Sequence, residues 1–177
     1  MAQCRRLVAF FNSSSQATEI LLSKQNNSVP VNVMQDVITR WWSTYLMGLR
    51  LLRLRPYFSV MVAESTLAAD LNLTDGQWII LKDTVSLLEP FMIAQKCLEG
   101  EKYVTISFVL VIITQIRINL KELINNESSS EHVLDLSTAM LENFNSHWGS
   151  GDPGTVYAEC ETLGPRLRQR VFLGKLF

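Results

Sequence analysis

The stretch YVTISFVLVIITQIRINLKEL (residues 103–123) decides the fold class. Within it Ile106, Val109, Leu110, Ile113, Leu120 and Leu123 recur at helical spacing and form one stripe. The first half is apolar nearly all round, the pattern of a central, buried helix. Val104, Thr105 and the paired isoleucines are β-branched, which leaves a strand open for Tyr103 to Ile113. Length and the i, i+3, i+7 spacing favour the helix. The apolar run Val104 to Ile116 is broken by Thr105, Ser107, Thr114 and Gln115, well short of the roughly 20 residues that span a bilayer.

Working outward, helical signals continue in both directions. Upstream, Thr74-Asp75-Gly76-Gln77 fits a capping box, in which Thr74 reaches forward and Gln77 reaches back. Trp78, Leu81, Val85, Leu88 and Met92 then mark one face, Pro90 is expected to kink this helix, and Gly100 closes it. A further helix is expected from near Thr39 to Arg55, with Pro56 ending or kinking it. Leu7, Val8, Phe10 and Phe11 open another, continued by Ala17, Ile20 and Leu21, with Ser13 to Ser15 capping a second piece. Asn26 to Pro30 reads as a polar loop. Downstream, Ser128 to Ser130 and Glu131 begin a helix with Val133, Leu136, Met140 and Phe144 inward. The chain is therefore mainly α, an irregular helical array without internal repeat. Its expected organisation is a helical domain over 1–148, a linker over 149–164 and a short basic C-terminal helix over 165–177.

The 177 residues are 47% hydrophobic and 19% charged, a globular composition. Lys and Arg number 16 against 17 acids, and a net charge of -1 argues against a polyanion binder over the whole surface. The balance is uneven, however. Residues 1–60 carry seven basic and two acidic groups, and residues 61–126 carry five basic and eight acidic. Residues 127–165 have seven acids and no Lys or Arg, and residues 166–177 have four basic groups and no acid. Cys4, Cys97 and Cys160 are too few and too far apart for a disulfide framework and fit a reducing compartment. Five apolar residues, Leu7 to Phe11, are too short for a secretory signal, so the sequons at Asn12, Asn26, Asn72 and Asn126 read as chance matches. A nuclear or cytoplasmic, non-secreted protein is expected.

Chemistry is sparse. His132 and His147 have no Cys or carboxylate at ligand spacing, and neither pairs recognisably with a cysteine as a nucleophile site. There is no phosphate-binding loop and no GxSxG elbow, while Glu159 and Glu161 would point to different faces of a helix. The informative stretch is Asp36-Val37-Ile38-Thr39-Arg40-Trp41-Trp42-Ser43-Thr44-Tyr45. Two readings stand side by side. Trp and Arg planes stack on unpaired bases, and a helix start binds phosphate. Alternatively Trp41, Tyr45 and Leu49 share a core face, with Asp36 pairing Arg40. Arg50, Arg53 and Arg55 likewise either contact phosphates or offset the dipole at a helix end.

The same stretch resembles the DVxTRWNSxY element of hAT-family transposases and their BED-zinc-finger relatives, with Trp42 where the family usually has Asn. Leu7-Val8, Phe10-Phe11, Ser15, Ala17, Leu21 and Gln25 resemble that family's LVxxFxxSxxAxxxLxxxQ segment. Leu73-Thr74, Trp78 and Leu87-Leu88-Glu89-Pro90-Phe91 are similar to its LTxxxWxxLxxxxxLLEPF stretch, and Glu101 to Thr105 match the segment that follows. Leu163 to Arg168 is similar to LDPRFK, with Gly164, Leu167 and Arg168 replacing Asp, Phe and Lys. The resemblance implies the front part of the all-helical insertion of an RNase H-like transposase, after its first two catalytic Asp residues and before its Glu. It places DNA-end handling on Trp41, with Arg40 beside it. The expected function is a non-catalytic, transposase-derived module binding DNA, protein or both around Arg40 and Trp41, with Arg50 and Arg53 as further DNA contacts. No cofactor, metal, membrane or small-molecule substrate is expected. Exposed apolar helical surface is expected to support homo- or hetero-oligomers. The alternative is a truncated transposon remnant or incomplete gene model without independent activity.

Overall fold

A computed structural model of the chain describes residues 1–25, 29–99, 106–126 and 130–148. Six helices account for the regular structure among these residues: α1 Ala2–Ser13, α2 Ser15–Ser23, α3 Trp41–Ala63, α4 Asp75–Leu98, α5 Ile106–Asn125 and α6 Glu131–Trp148. The mainly α expectation holds, and the strand alternative fails over 106–113, which is helical. The chain divides into two compact units, Met1–Ser86 and Leu87–Phe177, and the division falls within α4. The expected linker at 149–164 and basic helix at 165–177 lie outside the described residues.

In the first unit, α1 buries Cys4, Leu7, Val8 and Phe11, and α2 buries Ala17 and Leu21. The break between them is built by serine, as its capping chemistry predicts. Ser14 is extended, and its hydroxyl accepts from the Ala17 N–H at 3.2 Å to cap α2. Thr18 then donates to the Phe11 carbonyl at 2.8 Å, tying α2 back to α1.

Helix α3 starts at Trp41, near the expected Thr39, and runs through Pro56 to Ala63, so the proline does not end it. Its buried residues Met47, Leu51, Leu54, Phe58 and Met61 explain why. Phe58 and Met61 lie beyond Pro56 and are fully buried, and each contributes about 1.5–3 kcal/mol on burial. Together they offset the roughly 3 kcal/mol cost of an interior proline. The helix stops where Ser65 turns left-handed, at φ 58°. Its N–H donates to the Val62 carbonyl at 3.0 Å, and the Thr66 N–H to that of Met61 at 2.9 Å. This is a Schellman ending with Ser in the place usually held by Gly.

The capping box at the start of α4 is formed as expected: the Gln77 N–H donates to Thr74 Oγ1 at 3.3 Å, and the Thr74 N–H to Gln77 Oε1 at 3.0 Å. Trp78, Leu81 and Val85 are buried. Phe11, Phe58 and Trp78 form an aromatic row, with ring centroids 5.4 and 6.4 Å apart, that joins α1, α3 and α4.

In the second unit, Leu87 and Ala94 of α4 join Ile112, Ile116 and Leu120 of α5 in one core. The expected positions Leu88 and Met92 are only half-buried, because the later half of α4 serves this separate core. Val111 to Thr114 are buried at four successive positions, the all-round burial read for α5. Leu136, Met140 and Phe144 of α6 pack against this core. The buried Arg117 donates from Nε to Asn145 Oδ1 at 3.1 Å and lies 6.0 Å from the Phe144 ring.

Candidate nucleic-acid interface

The segment leading into α3 is held at both of its ends by buried polar side chains. At one end the Gln25 carboxamide pairs with both backbone groups of Val31. Its Oε1 accepts from the Val31 N–H at 2.9 Å, and its Nε2 donates to the Val31 carbonyl at 2.8 Å. At the other end lies Asp36, whose side chain is 0% exposed. Oδ1 accepts from Arg5 Nε at 3.0 Å and from Gln35 Nε2 at 3.1 Å. Oδ2 accepts from Arg5 Nη2 at 2.7 Å and from Thr44 Oγ1 at 2.9 Å. One carboxylate therefore joins α1, the segment and α3.

These contacts correct the pairing expected from the sequence, since Asp36 takes Arg5 and not Arg40. The reason is placement: Arg40 is the exposed residue before α3, whereas Arg5 projects from α1 onto the buried carboxylate. The guanidinium beside it holds the Asp36 carboxyl below the ordinary carboxylate value, and the Thr44 and Gln35 hydrogen bonds act in the same direction. Burial alone would raise it.

Between this anchor and α3 lies a turn. The Arg40 N–H donates to the Val37 carbonyl at 2.8 Å. Ser43, itself buried, accepts from the Val37 N–H at 2.8 Å, and its hydroxyl lies 2.6 Å from the Arg40 carbonyl. The Asp, Ser and Thr of the DV–TRW–ST element thus build the turn. Ile38 at its tip is 76% exposed, and Arg40 stands beside it.

Of the expected site residues, Arg40 and Arg53 are exposed, and no ion pair or hydrogen bond of their side chains exists among the described residues. Arg50 is half-buried and donates to the Asn32 carbonyl at 3.0 Å. Trp41 is the first residue of α3, and its side chain lies outside the described residues. The core reading of this face also changes: Tyr45 is buried, but Leu49 is 47% exposed. The dipole explanation for Arg50, Arg53 and Arg55 falls, because α3 continues to Ala63 and has no basic residue in its last turn. Arg55 instead pairs with Asp75 at 3.2 Å and stands 5.4 Å over the Trp78 ring. Arg40 and Arg53 are separated by about 20 Å along α3, so they do not converge on one small anion. Arg50 and Arg53 are one turn apart.

Both candidate histidines are exposed on α6, and Ser146 and the Asn143 carbonyl lie at 3.1 and 2.9 Å from His147 Nδ1. Cys4 is buried, which pushes its thiol above the ordinary range, and Cys97 is half-buried. Cys160 lies outside the described residues. Among the described residues no three His, Cys, Asp or Glu side chains cluster for a metal, and no helix is long and apolar enough to cross a membrane.

Sequence reasoning missed Gln25 as an anchor and Arg5 as the partner of Asp36. Gln25 stands out only as the last position of the segment that resembles the transposase family, which names no partner for it, and an ion pair 31 residues apart has no spacing signature.

Comparison with known proteins gives one informative similarity. Over 172 residues, 97% of this chain, the sequence is 33% identical to the "Putative transcriptional regulator tpeD" of the fungus Talaromyces stipitatus. The aligned region is 18% of that protein's length, so the chain spans less than a fifth of it. No family model matches the chain, and no solved structure matches it.

Proposed function

We propose that this chain is a non-catalytic, transposase-derived helical module that binds DNA through the region around Arg40 and the N-terminal half of α3. One observation carries the reading. Of the seven basic residues among the first sixty, Arg5, Arg6, Lys24 and Arg55 are in ion pairs and Arg50 binds a backbone carbonyl. Arg40 and Arg53 alone of that set are left without such a partner among the described residues. Exposed arginines without a protein partner, one at the start of a helix and one on it, are what a phosphate backbone requires. No side chain caps the start of α3 with a hydrogen bond, and its first N–H groups favour the same negative charge.

The ordered resemblance to hAT-family transposases and the similarity to a fungal protein named as a transcriptional regulator support a nuclear, DNA-directed role. Without the catalytic acids that the resemblance places outside this chain, the module binds and does not cut. It acts as one part of a longer assembly of domains of RNase H-like type.

The test is DNA affinity measured against salt, with duplex, hairpin and single-stranded probes. Binding weakens as salt rises, and Arg40→Ala or Arg53→Ala each reduces the slope of log K against log[salt] by about 1. Trp41→Ala weakens single-stranded and hairpin binding by about 1–3 kcal/mol if its ring stacks on a base. Affinity indifferent to salt and to all three substitutions refutes the reading.

A further inference from the structure

Helix α3 carries Arg50, Arg53 and Arg55 and no acidic residue over its whole length. Trp42, Leu49, Arg53 and Val60 follow one another at i, i+7, i+11 and i+18, within about 20° of a single line along an ideal helix and over about 27 Å. Trp42 is half-buried, Leu49 is 47% exposed, Val60 is 45% exposed and Arg53 is exposed. The opposite side of α3 holds Met47, Leu51, Leu54, Phe58 and Met61, so this stripe is not needed for the core of its own unit.

We infer that this stripe is a docking surface for an acidic amphipathic helix of a partner protein. Apolar residues on one line at i, i+7 and i+18 match the ridge of a second helix, which removes Leu49 and Val60 from water. A phosphate backbone leaves both wet and gains from Arg53 alone. A second copy of this stripe brings Arg53 toward Arg53, two like charges with no acid on α3 to separate them. An acidic residue on the incoming ridge pairs with Arg53, and the acid-free helix beneath offers it no repulsion. The stripe runs through Trp42 and Leu49 in the same N-terminal half of α3 and shares Arg53 with the DNA-binding reading. The uncharged positions Leu49 and Val60 separate the two, because substituting them removes no cation from a phosphate contact.

The test is selection of helical 18-residue peptides from a displayed library against the full chain, with counter-selection against Leu49→Asp/Val60→Asp. Both substitutions are at exposed positions, and circular dichroism with thermal unfolding confirms that the variant folds. The expected winners are amphipathic and acidic on the flanks of their apolar ridge. Their affinity falls at least about tenfold with Leu49→Asp, the loss of roughly one buried aliphatic contact, and it falls again with Arg53→Glu. Winners that are basic or lack an apolar ridge overturn the inference, as does enrichment no stronger than for the doubly substituted chain. Displacement of the peptides by duplex DNA from the Leu49→Asp-sensitive site also overturns it, by making the stripe part of the DNA surface.

Discussion

Both oxygens of the Asp36 carboxylate are taken up inside the protein, and this makes its charge a stability determinant rather than a contact for DNA. Arg5, foremost, holds the carboxyl below its ordinary value. A carboxylate depressed in the folded state adds stability above its unfolded pKa of about 4, and the gain is lost as pH falls through the folded value. Stability should therefore be level from neutral pH down to about pH 5 as far as this group is concerned, and decline below about pH 4. Asp36→Asn keeps the shape and removes the charge. At neutral pH it should cost about 2 kcal/mol, less than a fully buried pair because the Arg5 side chain is 34% exposed and can rehydrate. Urea unfolding at a series of pH values checks this, and the gap between wild type and variant should close in acid. A gap of constant size would show that hydrogen-bond acceptance, not charge, matters at position 36. The sequence marked Asp36 as part of an informative element but could not assign its partner. Its neighbour Arg40 was the nearest cation along the chain, whereas Arg5 became nearest only after α1 packed against α3.

At the scale of elements, Gly48 of α3 lies directly against side chains of α4. A Cβ placed there would lie 2.7 Å from Val85 Cγ2 and 3.2 Å from Leu81 Cδ1 of α4. Two effects compete in Gly48→Ala. Alanine favours the helix by about 1 kcal/mol, while overpacking costs about 1–3 kcal/mol. Leu81 can move its terminal methyl, but valine in a helix is nearly confined to one rotamer, so the 2.7 Å contact yields only if the helices separate. The clash should win, and Gly48→Ala should lower stability by about 1 kcal/mol in chemical denaturation, where propensity alone predicts a gain. The helices themselves were readable because stripes and caps are local: the Thr74–Gln77 box and the Ser14 cap are formed as the residue types require. The end of α3 was not. Pro56 is a local stop signal overruled by the burial of Phe58 and Met61, and the true end at Ser65 lacks the glycine that would have announced it.

For the whole molecule, the net charge of -1 means that overall repulsion does little to keep copies apart. Local charges must then decide what meets the exposed apolar stripe of α3. Two copies meeting there oppose their Arg53 side chains, whereas an acidic helix or DNA meets Arg53 with opposite charge. Salt acts on these encounters with opposite signs. Raising ionic strength from about 0.1 M to about 1 M shortens the screening length from about 10 Å to about 3 Å. That weakens attraction to acidic peptides and DNA, removes the Arg53–Arg53 repulsion, and leaves the apolar contact of Leu49 and Val60 intact. Sedimentation velocity should accordingly show the average mass of the free protein rising with salt, and Leu49→Asp should abolish the rise. Association that weakens with salt, or that persists undiminished in Leu49→Asp, would place self-contact on another surface, such as the exposed Ile79 and Ile80 of α4. The charge asymmetry behind this prediction was countable in the sequence. Which of the basic residues remained available was not, because four of them find acids only through folding.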